Sequence, residues 1–184
     1  MAKLIYSPIM SLDGYIEDEQ GNFDWSAPDE EVHAFINDRQ RAIGTFLMGR
    51  RMYEVMQAWE SMHEQPDQNE ISLDFAALWR AADKVVYSST LESAATAKTR
   101  IEPNFDPETV RQLKAEAAQD LSVAGPELAS HAIKAGLVDE LQIYLVPTVV
   151  GDGKYFLPRG HALDLDLREE QRFSGGVVYL RYRV

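Results

Sequence analysis

The stretch DLSVAGPELASHAIKAGLVDEL, from Asp120 to Leu141, constrains the fold more than any other. Its opening LSVA is a short apolar run of the kind that makes a buried strand. A helical pattern starts at once, with Leu128, Ala129, Ala132, Ile133 and Leu137 on one stripe. Gly136 suits the left-handed residue that closes a helix. DELQIYLVPTVVG follows and reads as one long strand ending at Gly-Asp-Gly. A chain that turns from strand to helix through Ala-Gly-Pro either packs tightly there or leaves its backbone open to a ligand.

The same alternation runs through the chain. KLIYSPIMSL is a strand made irregular by Pro8, with a bend at Asp13-Gly14. APDEEVHAFINDRQRAI is helical and carries acidic residues in its first turn. TFLM is a strand ending at Gly49, and RRMYEVMQAW a helix. HEQPDQNE is a polar loop; SLDFAALWRAAD is a helix with Ser72 as candidate N-cap. KVVYSS is a strand, and Thr90 to Asn104 reads mostly as loop. DPETVRQLKAEAA starts a helix at Asp106 with Pro107 in its first turn. LREEQRFSGGVVYLRYRV folds back on itself around Gly175-Gly176, and the charges from Asp166 to Glu170 mark its first strand as an edge. Strands alternating with helices and closed by a hairpin imply a single α/β domain over residues 1–184, with a mostly parallel sheet.

Composition narrows the partners. The chain has 18 Lys and Arg against 30 Asp and Glu, a net charge of -12, which argues against nucleic acid or an anionic membrane. There is no cysteine, so disulfides, thiolate metal sites and a Cys nucleophile are excluded. No apolar run approaches the ~20 residues of a membrane span. Acidic residues follow the N-terminus too soon for a signal peptide, so a cytoplasmic protein is expected. His33, His63, His131 and His161 are scattered, and no metal site is expected.

Three strand-to-helix junctions could carry chemistry: LMGRRMYE, VVYSST and SVAGPEL. In open α/β sheets ligands bind at the carboxyl ends of strands. Helix N-termini there offer free N–H groups suited to phosphate. Gly49 and Gly125 would let a ligand approach the backbone. Arg50 and Arg51 place two guanidinium groups at one junction of an acidic protein. Ser88, Ser89 and Thr90 add hydroxyls at the next. The simpler reading of each is structural: glycines as turn residues, and arginines paired with a carboxylate such as Glu54. Together the junctions suggest an elongated ligand with several phosphates, although the Rossmann G-x-G-x-x-G is absent.

These residues resemble the dihydrofolate reductase superfamily over nearly the whole chain. The similarity is to small stand-alone relatives of the reductase domain found in bifunctional riboflavin-biosynthesis deaminase-reductases. MSLDGYI, MGRRMYE, TRI, LSVAGPELA and GLVDELQIYLVPTVVGDG with the following YF carry it. The resemblance implies a three-layer dihydrofolate-reductase-like fold. It has a mixed eight- or nine-stranded sheet with helices on both faces and an antiparallel C-terminal hairpin. It implies NADPH as cofactor. Gly49, Arg50, Arg51 and Met52 would face its phosphates, with an arginine choosing the 2′-phosphate. Ser88 and Ser89 would meet the adenosine end. Ala124, Gly125, Pro126, Glu127 and Leu128 would lie along the diphosphate, and Ile9 and Ile16 would flank the nicotinamide. The family usually has Gly-Gly, often joined by a cis bond, where this chain has Ala124-Gly125. A homodimer is a further implication.

At the substrate end, WSAPDEE resembles the dihydrofolate reductase stretch that supplies the substrate-binding acid, and Glu30 falls at its position. Acidic residues at a helix start also simply favour the helix dipole. The family's G-x-G-T turn is replaced by Gly49-Arg50-Arg51-Met52, and no arginine for a folate tail can be placed. Two functions therefore remain open. One is an NADPH-dependent reductase of a planar heterocycle; the other is a non-catalytic nucleotide-binding or interaction module on the same fold.

Overall fold

The computed structural model describes residues 1–184. Six strands form a parallel sheet: β1 (Leu4–Tyr6), β4 (Ile43–Gly49), β5 (Asp83–Tyr87), β6 (Thr99–Glu102), β7 (Asp120–Ala124) and β8 (Glu140–Leu145). Two antiparallel strands, β10 (Asp166–Arg172) and β11 (Val178–Arg183), extend it. The order is β10-β11-β8-β1-β7-β4-β5-β6, and the short β2 (Ile9–Met10) continues β1 along β8 past the Pro8 interruption. β3 (Tyr15–Asp18) and β9 (Gly153–Tyr155) pair separately as a small antiparallel ribbon.

Helices cover both faces because adjacent strand residues point to opposite sides. Leu47, Val85, Val123 and Leu141 pack on one face with α4 (Pro107–Glu116) and α5 (Pro126–Lys134). Phe46, Met48 and Val86 pack on the other with α2 (Arg50–Met56) and α3 (Glu70–Ala81). A third cluster joins α1 (Glu30–Gln40) to the hairpin side of the sheet through Val32, Tyr144, Phe173 and Tyr179. Trp79 has no exposed surface, lies 5.8 Å from Phe46, and donates its ring N–H to Glu60.

Three local expectations are corrected. Asn69, not Ser72, caps α3: its side chain accepts the Ser72 backbone N–H at 2.8 Å. The stretch read as loop after Thr90 contains β6, a short edge strand whose charged Arg100 and Glu102 mask its apolar periodicity. The strand after Asp139 stops at Leu145 instead of running to Gly151. Pro147 has no N–H to continue a ladder, and Val149 is 67 % exposed.

The segment beyond Leu145 instead docks on the one before β3. Leu12 N–H donates to Thr148 O, Val146 N–H to Met10 O and Phe156 N–H to Gly14 O. The Asp13 carboxylate accepts the backbone N–H groups of Val150 and Gly151 at 3.1 and 2.8 Å. A Cβ on Gly14 would overlap the Tyr155 ring, and one on Gly153 would overlap the Glu17 carbonyl oxygen. MSLDGYI and PTVVGDG, 131 positions or more apart in sequence, are thus two halves of one seam.

Hydrogen bonds from Ser11 and from the Gly151 and Val150 N–H groups lower the Asp13 pKa to about 2 from 3.8. The folded pKa lies below the unfolded one. The seam therefore keeps this contribution above pH 3.8 and loses it as pH falls towards 2. Hydrogen exchange of residues 147–155 should accelerate across that window in wild type, and Asp13→Asn should remove the dependence there. Gly153→Ala, at φ 148°, should lower the thermal midpoint by more than a surface Gly→Ala change, a cost above about 1 kcal/mol.

Candidate functional site

Register places the three junctions side by side. Met48 pairs with Ala124, and Gly49 pairs with Tyr87, so β7, β4 and β5 end along one edge of the sheet. β1 ends beside them, with Tyr6 opposite Val123. The edge is backed by two helices that begin without a side-chain cap, α2 after Gly49 and α5 after Gly125. By contrast α1, α3 and α4 are capped by Asp29, Asn69 and Asp106.

The glycines keep this edge open. A Cβ at Gly49 would meet nothing within 4 Å. Gly125 adopts φ 90°, ψ 131°, a conformation side chains resist, and a Cβ there would meet only Met52 Cβ, at 3.8 Å. All peptide bonds are trans, Ala124-Gly125 included. Ala124 and Met52 are half-buried against the α2–α3 core; Leu128 is buried, so only its backbone faces the edge. Pro126 opens α5 and Glu127 is exposed in its first turn.

The two arginines diverge. Arg50 donates to Glu54 at 2.7 Å and to the Thr90 hydroxyl at 2.9 Å, so it leans towards the β5 junction. Arg51 turns the other way, pairing with Glu17 at 3.1 Å and donating to Gly21 O at 3.0 Å. Lys154 lies between Glu127 at 2.9 Å and Glu17 at 3.5 Å. Its pKa is raised, chiefly by the hydrogen bond to Glu127. Every cation at the edge is therefore already paired. Exposed pairs are worth only about 0.2–1 kcal/mol, so a phosphate with charge-assisted hydrogen bonds can displace them.

Ser88 shapes the β5 junction: its hydroxyl accepts the N–H groups of Thr90 and Leu91. Ser89 is exposed and Thr90 holds Arg50. Ile9 packs against the α1 cluster and Ile16 against the α5 core, so they flank the head of the central strands from opposite sides. Glu30 is not brought to the junctions by any hydrogen bond; it lies exposed in the first turn of α1, where Asp29 caps and Glu31 accepts from Ser174.

Sequence reasoning missed several groups. Lys154 and Glu17 meet only through the β3–β9 ribbon. Trp25 Nε1, Tyr144 OH and Tyr179 OH are buried in or against the α1 cluster and have no protein partner. Unpaired buried polar groups are rare, and each costs about 1–3 kcal/mol. Burial raises the pKa of Tyr144 and lifts that of Tyr179 to about 12, so both phenols stay protonated donors near neutrality. A surface hollow between β3 and β9 sets four carboxylates, Glu17, Asp18, Glu19 and Asp152, against the single ammonium of Lys154, a balance that disfavours a phosphate.

A mostly parallel sheet with helices on both faces, an antiparallel C-terminal hairpin and an open edge at three strand ends define a dihydrofolate-reductase-like domain. Residues 2–179 match the RibD C-terminal domain, and the chain belongs to that family. It is 29% identical over 185 residues to the uncharacterized protein YyaP of Bacillus subtilis strain 168, covering 98% of this chain and 94% of that one. Among solved structures it is similar to a putative riboflavin biosynthesis protein from Shewanella sp. PV-4, with TM-score 0.75, 20% identity, and coverage of 100% and 99% of the two chains. A pyrimidine reductase-like protein from Corynebacterium diphtheriae gives TM-score 0.64 at 15% identity, covering 100% of this chain and 92% of that one. A diaminohydroxyphosphoribosylaminopyrimidine deaminase/5-amino-6-(5-phosphoribosylamino)uracil reductase from Thermotoga maritima gives 0.68 at 13% identity, covering 99% of this chain but 56% of that longer one.

Apart from the bonds that Asp18, the last residue of β3, makes with Gln20, Gly21 and Asn22, the Arg51 bond to Gly21 is the one hydrogen bond that reaches residues 19–28 from elsewhere. Arg51→Ala should accelerate hydrogen exchange in that loop and leave the seam at residues 147–155 unchanged. Equal exchange in variant and wild type would remove Arg51 as its tether.

Proposed function

We propose that this protein is an NADPH-dependent reductase of a planar heterocycle, such as a pteridine or a pyrimidine of the riboflavin-pathway kind. The observation that carries the reading is the alignment of three open junctions along one sheet edge, each bearing groups suited to phosphate. Membership of the RibD C-terminal domain family supports it, as does similarity to a structure described as pyrimidine reductase-like.

The residues fit such a cofactor. The first turn of α5 has no side-chain cap, and its N–H groups after Pro126 suit the diphosphate. Gly49 leaves room beside them, and a Cβ at Gly125 would come within 3.8 Å of Met52 Cβ on α2. Arg50 is the better candidate for the 2′-phosphate, because Thr90, itself beside the Ser88 hydroxyl, holds it at the junction assigned to the adenosine end. Arg51 serves instead to tie α2 to the loop after β3. Ile9 and Ile16 offer apolar surface to the nicotinamide. When bound, the reduced nicotinamide supplies hydride; the protein orients the acceptor, excludes water and provides a proton.

The acceptor fits best beside Ile9, where the α1 cluster carries the buried indole N–H of Trp25 and the Tyr144 hydroxyl. Both are donors without a protein partner, of the kind that the ring oxygens and nitrogens of a heterocycle accept from. Glu30, at the start of α1, is the proposed proton source once bound substrate shields it. Its exposure is the observation that favours the alternative, a nucleotide-binding module without turnover.

Arg50→Ala should weaken NADPH binding by roughly 10- to 100-fold, from the loss of about 1.5–3 kcal/mol, and leave NADH binding nearly unchanged in calorimetry. Equal weakening of both would place the 2′-phosphate elsewhere. Glu30→Gln should reduce kcat without changing NADPH affinity; unchanged turnover on a reducible heterocycle would remove Glu30 from the reaction.

A further inference from the structure

Two Asp-Gly dipeptides occur in the chain, Asp13-Gly14 and Asp152-Gly153, and they lie on the two sides of one seam. Asp-Gly is prone to closing a ring on itself, because glycine has no side chain to shield its nitrogen. The fold places the two pairs in opposite situations. At Asp13 both reacting groups are committed. The carboxylate accepts the N–H groups of Val150 and Gly151 at 3.1 and 2.8 Å. Gly14 is buried and donates its own N–H to Ser11 O at 3.0 Å. At Asp152 the side chain is exposed, and its one hydrogen bond is from the N–H of Gly153, its own neighbour, at 2.7 Å. The nitrogen is thus held against the carboxyl group that it would attack.

We propose that Asp152 is a site of spontaneous backbone modification, where the Gly153 nitrogen closes on the Asp152 side chain to give a succinimide and then isoaspartate. The nitrogen bonds to Cγ of the neutral carboxyl, and the amide proton and the carboxyl hydroxyl leave together as water. Water then adds back to the ring. Opening at the side-chain carbonyl restores aspartate. Opening at the main-chain carbonyl leaves the peptide running through Cβ and Cγ, with the former main-chain carbonyl as a free carboxylate. One water is lost and one regained, no electrons are transferred, and the mass is unchanged. Asp13 is protected from the same reaction. Its hydrogen bonds keep it ionised down to about pH 2, and a carboxylate has no hydroxyl to lose.

The consequence falls on the ribbon. Isoaspartate adds one carbon to the main chain directly before β9. That strand is three residues long, with Gly153 opposite Asp18 and Lys154 opposite Glu17. There is no slack, since a Cβ at Gly153 would fall 2.0 Å from the Glu17 carbonyl oxygen. The added methylene therefore displaces Gly153 from its partner, and Lys154 leaves Glu127 and Glu17. The mouth opens on the side of α5.

Ageing of the folded protein at neutral pH and physiological temperature tests the site. Digests are mapped by chromatography with electron-transfer fragmentation, which separates isoaspartate from aspartate at equal mass. Isoaspartate should accumulate at Asp152 and not at Asp13. The same chain in urea should form it at both positions, because unfolding removes what distinguishes them. Hydroxylamine should trap the succinimide at Asp152 as a hydroxamate. Asp152→Glu should abolish the product, since the longer side chain must close a larger ring, and should leave hydrogen exchange of residues 147–155 as in fresh wild type. The modified fraction of aged wild type should exchange faster at residues 153–155 and 15–18. Isoaspartate formed at both positions in urea and at neither in the folded protein would overturn the proposal. Equal amounts at Asp13 and Asp152 in the folded protein would overturn it too. A modified fraction whose ribbon exchanges like fresh protein would overturn the release of Lys154.

Discussion

Parallel pairing of β7, β4 and β5 in one register is the constraint on which the candidate site depends. Met48 opposite Ala124 and Gly49 opposite Tyr87 bring three junctions from separate parts of the chain to a common edge. A slip of one residue would turn Phe46 and Met48 out of the α2–α3 core and Leu47 into it, exchanging the two faces of the strand. Burial on both faces therefore fixes the position of the site to within one residue. The chemistry at the edge follows from the same packing. Side chains that would block it are directed into the cores, and glycine stands where the backbone must remain open.

The seam between residues 11–18 and 146–156 does the equivalent work for the front of the site. Asp13 holds two backbone N–H groups from the far segment, and the two glycines permit a closeness that any side chain would prevent. Tyr6, at the end of the central strand, donates its hydroxyl to Phe156 O and fastens the seam to the sheet. This ribbon delivers Glu17 and Lys154 to the mouth, where they link Arg51 on α2 to Glu127 on α5. The net charge of -12 thus coexists with a locally balanced mouth, whose weak exposed pairs an anionic ligand can exchange.

Much of this was legible in the chain itself. Asp106-Pro107 signals a helix start by residue chemistry alone, and the strand–turn–helix at Ser122 to Leu128 is visible because its strand is uniformly apolar and its helix amphipathic. The hairpin around Gly175-Gly176 reads from its turn residues and alternation. What escaped is what depends on distant partners. β6 is four residues at an edge, two of them charged, and exists because β5 offers it a ladder. β8 stops at Leu145 although the apolar run continues, because Val146 is drawn to Met10 and Pro147 cannot extend the sheet. The divergence of Arg50 and Arg51 is invisible in sequence, since their partners lie 40 and 34 positions away. Asn69 displaces Ser72 as cap because only it precedes the first helical turn.

The most direct test of a single site built from three junctions is a nuclear magnetic resonance titration of the backbone amides with NADPH. One bound dinucleotide should shift Gly49 to Met52, Ser88 to Thr90 and Gly125 to Leu128 together, with one saturation curve. Shifts confined to one junction, or absent from all three while the fold is intact, would contradict a shared cofactor site along this edge.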